Sequence, residues 1–133
     1  MEENTEEVLF SVMLDGAPYV VNDGLLAYAY DLDGIISING IGNLDANETV
    51  AISLPAGFTL GTYTMDTESE AYATAIIDGI SYSTKLPGSI GQVMITKFDG
   101  SIVEGTFEFT ATGGDQLQHK LVATEGTFNV ILR

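Results

Sequence analysis

The sequence has no cysteine and no tryptophan, one histidine, three prolines, and only four basic residues among 133. Without cysteine there can be no disulfide framework, no zinc-thiolate centre and no thiol nucleophile. That absence is compatible with the cytosol and equally with an envelope protein that is stable without staples. The four cations, Lys85, Lys97, Lys120 and Arg133, face 19 acidic residues, for a net charge of −15. Such a surface repels phosphate backbones and anionic lipid, so neither nucleic acid nor a membrane surface is expected as a partner. Long apolar runs are also missing. The longest stretches, such as Gly24–Tyr30, are strand-sized, well short of the roughly 18 residues that span a bilayer. No window keeps helical spacing. The expectation is a soluble, globular, all-β chain.

Scarcity limits the chemistry as well. The single histidine, His119, lies in the polar stretch Asp115–Lys120, which reads as a loop or strand start. A Ser-His-Asp arrangement would need it, but no Gly-x-Ser-x-Gly elbow is present. Carboxylate pairs could in principle run glycoside hydrolysis, yet 19 acids make close pairs inevitable and therefore uninformative. No catalytic residue is assigned, and no enzyme is expected. Asp31-Leu32-Asp33-Gly34 and Asn43–Glu48 resemble fragments of calcium loops. Counted from Asn43, however, the sixth place is Glu48 and the twelfth Leu54, not the glycine and glutamate an EF-hand requires. Both segments read instead as turns rich in Asx side chains. Gly113-Gly114 is followed by Asp115, with no lysine to hold phosphate. No metal and no cofactor is expected.

What the sequence does contain is turn and strand signal. Asp-Gly occurs at residues 15, 23, 33, 78 and 99, and Asn-Gly at 39. These dipeptides tolerate the positive φ angles of tight hairpin turns. Asn39-Gly40 lies inside an apolar run and could instead be a bulge. Between the turns, apolar residues alternate with period two, as in Val8-Phe10-Val12-Leu14, Val50-Ile52-Leu54 and Phe107-Phe109-Ala111. This is the pattern of half-buried antiparallel strands. It predicts strands at Glu7–Leu14, Ala17–Val21, Leu25–Tyr30, Gly34–Ile41, Thr49–Leu54, Gly61–Met65, Ala71–Ile77, Ile80–Thr84, Ser89–Phe98, Ile102–Thr112 and Lys120–Leu132. Short links favour a meander of hairpins, closed as a flattened barrel or folded as a sandwich of about nine to eleven strands. One domain over residues 8–133 follows a flexible acidic leader, residues 1–7. The leader has neither a basic nor an apolar region of a signal peptide. It reads either as a native start or as a methionine placed on a trimmed export product.

Three features are candidates for function. Ala27 and Ala29, with Ala71, Ala73 and Ala75, form small-residue stripes that suit close packing or a ligand cavity. Tyr28 and Tyr30 share a strand face with Leu26, and Tyr72 and Tyr82 lie on later strands. An exposed row of such rings could stack on a sugar or a peptide. Glu-Gly-Thr-Phe occurs at residues 104–107 and again at 125–128. In each copy Gly and Phe share a face, so Phe107 and Phe128 are expected in the core, on adjacent strands.

The C-terminal run GSIGQVMITKFDGSIVEGTFEFTATGG (Gly88–Gly114) followed by LVATEGTFNV (Leu121–Val130) resembles a family of small secreted lipoproteins from Bacteroidetes. SLPAGFTLGTYTM (Ser53–Met65) and FSVMLDGAPYVV (Phe10–Val21) fit the same family. Where that family places a bulky residue, usually tryptophan, after Asp-Gly, Tyr19 is expected to take the packing role. The resemblance implies export and a lipid-bearing cysteine upstream of Met1, with anchoring in the periplasm or at the cell surface. It implies no activity, since the family is itself a domain of unknown function. The expected role is a non-enzymatic, monomeric binding or scaffold module. Its partner would be a glycan, a peptide or an envelope protein, with no membrane insertion beyond the lipid. A lipocalin-like carrier of a small apolar ligand and a carboxylate-dependent hydrolase are the alternatives.

Overall fold

Period-two alternation produces eleven strands in the computed structural model, which describes residues 9–43 and 48–133. They are β1 Phe10–Leu14, β2 Ala17–Val21, β3 Ala27–Leu32, β4 Ile35–Asn43, β5 Glu48–Leu54 and β6 Gly61–Met65. Then follow β7 Tyr72–Ile77, β8 Ile80–Ser83, β9 Ile90–Phe98, β10 Ile102–Gly113 and β11 His119–Ile131. The acidic leader, the expected first-strand residues Glu7 and Val8, and most of the turn expected at Asn43–Glu48 lie outside the described residues.

The strands form two faces of one flattened barrel. On one side, β2-β1-β11-β10-β9-β6 are hydrogen-bonded neighbours; on the other, β8-β7-β5-β4-β3. Every named strand pair is antiparallel. Strand β10 joins the faces at one end. It pairs with β9 through Val103–Thr110, then leaves it, so that Thr112 and Gly113 meet Ser83 and Tyr82 of β8. Strand β11 joins them at the other end, where Leu132 bridges Ala29 and the Arg133 N–H donates to the Ala29 carbonyl at 2.8 Å. The structure is therefore both a sandwich and a nearly closed barrel. It departs from a simple meander in three places: β1 pairs with β11, β8 with β10, and β6 leaves β5 and β7 to pair with β9.

Between the faces lies one core. Phe107 is its centre, with ring centroids 5.4 Å from Phe10 and 6.1 Å from both Phe109 and Phe128. The alanine stripes are fully buried opposite strands that carry these large rings. Small-against-large filling of this kind yields native packing density. Aromatic rings also settle the Asn39-Gly40 question. Gly40 is a regular strand residue paired with Ala27 and Val50, and a Cβ there would sit 2.4 Å from Phe10 Cδ1. The bulge comes later, between Ile41 and Asn43.

The corner where β10 changes partners is held by buried hydroxyls. Ser89 Oγ accepts the Thr112 N–H at 3.0 Å and lies 3.0 Å from Thr112 Oγ1. Thr112 Oγ1 in turn donates to the Pro87 carbonyl at 2.9 Å. Buried polar groups persist when fully bonded, and here they replace ladder bonds lost at the split.

A second latch is Tyr19 on edge strand β2. Its ring packs edge-on to Phe10 at 6.4 Å, the packing role expected of it. Its hydroxyl accepts the Gly42 N–H at 2.7 Å and donates to the Gly40 carbonyl at 2.8 Å, with the Glu48 carbonyl 3.2 Å away. Strand β2 is thereby tied to β4 across the gap between the faces. Burial is the main cause that pushes the Tyr19 hydroxyl up from 10.0 to about 12, and the charge of Glu48 adds to it, partly opposed by the Gly42 N–H. A raised folded-state value means the native state keeps its proton longer, so this contribution is complete below pH 10 and fades as pH rises to about 12. Tyr19→Phe is expected to cost about 1–2 kcal/mol at neutral pH. It should also flatten the alkaline fall in stability, read by urea melts across that window.

Candidate functional site

The functional surface must be sought on the outer faces, because the inner ones are packed. On the β3-β4-β5-β7 face the register aligns Tyr30 with Ser37, Ser37 with Ser53, and Ser53 with Tyr72. The adjacent row reads Tyr28, Asn39, Ala51, Thr74. Residues directly opposite across a ladder project from the same side. Tyr28 and Tyr30 therefore stand at one end of a strip floored by serine, alanine and threonine, and Tyr72 stands at the other. Tyr30 and Tyr72 are three strand spacings apart, about 14 Å.

Two of the four cations back these rings. Arg133 lies over Tyr28 at 4.1 Å from the ring centroid, and Tyr28 in turn lies 6.2 Å from Tyr30 at an interplanar angle of 35°. Arg133 also donates to the Gly24 carbonyl, and Lys85, 5.5 Å from the Tyr72 centroid, donates to the Ser69 carbonyl. These contacts fix ring orientation at both ends. Tyr28, half-buried, is contacted by both Arg133 and Tyr30, while Tyr30, 38% exposed, is the more accessible ring.

Tyr82 is not part of this strip. It pairs with Ala75, an inward-facing residue, and is only 8% exposed within the core. Burial and the charges of Asp15 and Asp78 raise its hydroxyl pKa. Of the four tyrosines singled out in the sequence, three therefore share a face and one points the other way. The sequence had no signal for the backing cations or the serine floor. Arg133 reaches Tyr28 through the bridge of Leu132 to Ala29, and Tyr72 meets the serine floor through the β5–β7 pairing, which skips β6.

The other polar candidates separate. His119 is exposed at the start of β11, beside Gly114, whose Cβ would meet the imidazole at 2.3 Å. Asp31 Oδ1 accepts the Gly34 N–H at 2.8 Å, the behaviour of an Asx turn. Among the described residues no group of three or more His, Asp or Glu side chains could hold a metal ion. The low pKa values that appear belong to turns. Asp66 is lowered by the Ser69 hydroxyl and the Glu68 N–H, and Asp99 by the N–H groups of Ile102 and Ser101.

Fold and surface together define a small antiparallel β domain, barrel-like, with a polar outer strip flanked by tyrosines. The family model described as a domain of unknown function, DUF6252, matches residues 9–131, and the chain belongs to that family. No curated protein and no solved structure matches it.

Proposed function

We propose that this chain is a non-enzymatic binding module of the cell envelope, which receives a glycan or an extended peptide across the strip between Tyr30 and Tyr72. The observation that carries the reading is the cluster of Arg133, Tyr28 and Tyr30 facing Tyr72 over a floor of small polar residues. Stacking platforms separated by hydroxyls suit ligands that present flat apolar faces and hydroxyl or amide edges. Export and a lipid anchor are supported by the resemblance to secreted lipoproteins of Bacteroidetes, with the acidic leader as tether. The carrier alternative needs an internal cavity, and the alanines proposed to line one are packed in the core.

Glycan-array and peptide-array screens of the full chain, run beside Tyr30→Ala/Tyr72→Ala, provide the test. A ligand whose signal falls at least about tenfold in the variant supports the reading, since one stacked ring contributes on the order of 1 kcal/mol. Ligands that bind both proteins equally, or no ligand at all, defeat it. A lipobox cysteine in the gene upstream of Met1 would establish the compartment, and its absence would remove the anchor.

A further inference from the structure

The opposite outer face, on β6-β9-β10-β11, carries two adjoining concavities of about 410 Å³ each, which share Gln92 and Glu108. They form one groove running across the strands. Register lines up Thr64 with Gln92 and Gln92 with Glu108, and a parallel row joins Met94, Thr106 and Thr127. From β6 to β11 the span is three strand spacings, about 14 Å, or roughly four residues of extended chain. At β11 the ladder beside the groove skips. Phe107 faces Gly126 and Phe109 faces Ala123, so one residue of β10 spans two of β11.

The groove's chemistry is one-sided. Glu108 and Glu125 line it from neighbouring strands, with Met94 beside them. Among the described residues no cation reaches either carboxylate: Lys97 pairs with Glu104 at 3.8 Å, while Lys85, Lys120 and Arg133 are held by carbonyls of Ser69, Gly88 and Gly24. Like charges on neighbouring strands repel, a cost that an incoming cation would remove. Thr64 and Thr106, both exposed, add hydroxyls to the groove lining. Met94 is 41% exposed and offers apolar surface for the methylene stem of a long basic side chain.

We infer that this groove docks an extended, Lys- or Arg-bearing segment of a partner protein, its cationic head between Glu108 and Glu125 and its stem on Met94. The partner is basic because the groove is acidic within a chain of net charge −15, which also opposes a second copy at this face. This inference concerns the face opposite the tyrosine strip and stands independently of that reading.

The test titrates isotope-labelled full chain with acetyl-Lys-Thr-Lys-Thr-amide and, as control, acetyl-Glu-Thr-Glu-Thr-amide. Amide shifts confined to Gln92, Met94, Thr106, Glu108 and Glu125 are expected with the basic peptide alone. They should vanish at about 0.5 M salt. Glu108→Gln/Glu125→Gln should bind at least about tenfold more weakly, with an unchanged or higher melting temperature that certifies folding. Thr106→Arg, which fills the groove, should abolish binding while Tyr30→Ala leaves it intact. Shifts scattered over all acidic surfaces would overturn the inference. So would equal binding by the acidic peptide or by the glutamine variant, or a concentration-dependent dimer using this face.

Discussion

Phe107→Ala is expected to lose about 3–5 kcal/mol of stability, the range for deleting a buried phenylalanine. Domains of this size have only about 5–15 kcal/mol in total. The size of the effect follows from position. Phe107 is 3% exposed and touches three other rings, Phe10, Phe109 and Phe128. It also lies across Gly126, where a Cβ would be 2.6 Å from the ring's Cε and Cζ atoms. Removing it empties the centre of the core and bares the backbone of β11, two losses that a collapsing neighbour cannot repair together. Urea unfolding of the two proteins measures the difference. A loss under about 1 kcal/mol would mean that the core is not organised around this ring.

Gly105→Ala is expected to cost about 3 kcal/mol, the upper part of the overpacking range. The added Cβ would stand 2.2 Å from the Met94 carbonyl oxygen and 2.7 Å from Phe128 Cζ. The first contact is to backbone in the adjacent strand, at the point where the β9–β10 register shifts between Glu104 and Gly105. Nothing there can swing aside without breaking ladder bonds. Gly126→Ala is the instructive contrast, since its closest contacts are all ring atoms of Phe107. Phe107→Leu in the same chain should therefore recover part of the Gly126→Ala loss, whereas Phe128→Leu should recover little of the Gly105→Ala loss. Double-mutant cycles from thermal or urea melts separate the two. Equal rescue at both sites would refute the backbone origin of the Gly105 constraint.

These two residues explain the repeated Glu-Gly-Thr-Phe. Its copies lie on paired strands, with Gly105 opposite Phe128 and Phe107 opposite Gly126. Each phenylalanine crosses the glycine of the other copy, so the repeat is a reciprocal lock in the core. The expectation that Phe107 and Phe128 are buried is met, at 3% exposure each. The interlocking itself requires the register and could not be read from either copy. Glu125, at the head of the second copy, has φ 54°, a left-handed value set by the bulge between β10 and β11. That too is invisible in the word itself.

The Asp-Gly turns show how far local chemistry reaches. Asp15-Gly16, Asp33-Gly34 and Asp78-Gly79 have positive φ at both residues, as hairpin turns of the expected kind demand. At Asp99-Gly100 only the glycine is positive, and the Asp99 carboxylate accepts the N–H groups of Ser101 and Ile102. Asp23-Gly24 has neither; there the Asp23 side chain accepts the Leu25 N–H at 2.9 Å and its carbonyl accepts those of Leu26 and Ala27. The dipeptide marks the reversal faithfully, but flanking strands choose its form.

By itself the sequence determined the all-β class, the eleven strands and, where apolar residues alternate as in Val50-Ile52-Leu54 and Phe107-Phe109-Ala111, which residues face inward. Those properties are local: side-chain alternation with period two and the backbone freedom of Asp-Gly act within a few residues. Tertiary structure alone decided which strands meet. Pairing of β1 with β11, transfer of β10 from β9 to β8, and departure of β6 to β9 join segments far apart in the chain. Hydrogen bonds between backbones are nearly indifferent to residue type, so the partners are selected by the fit of side chains across the whole core. That selection put Tyr28, Tyr30 and Tyr72 on one outer strip, turned Tyr82 inward, and brought Glu108 and Glu125 together in a groove on the other side.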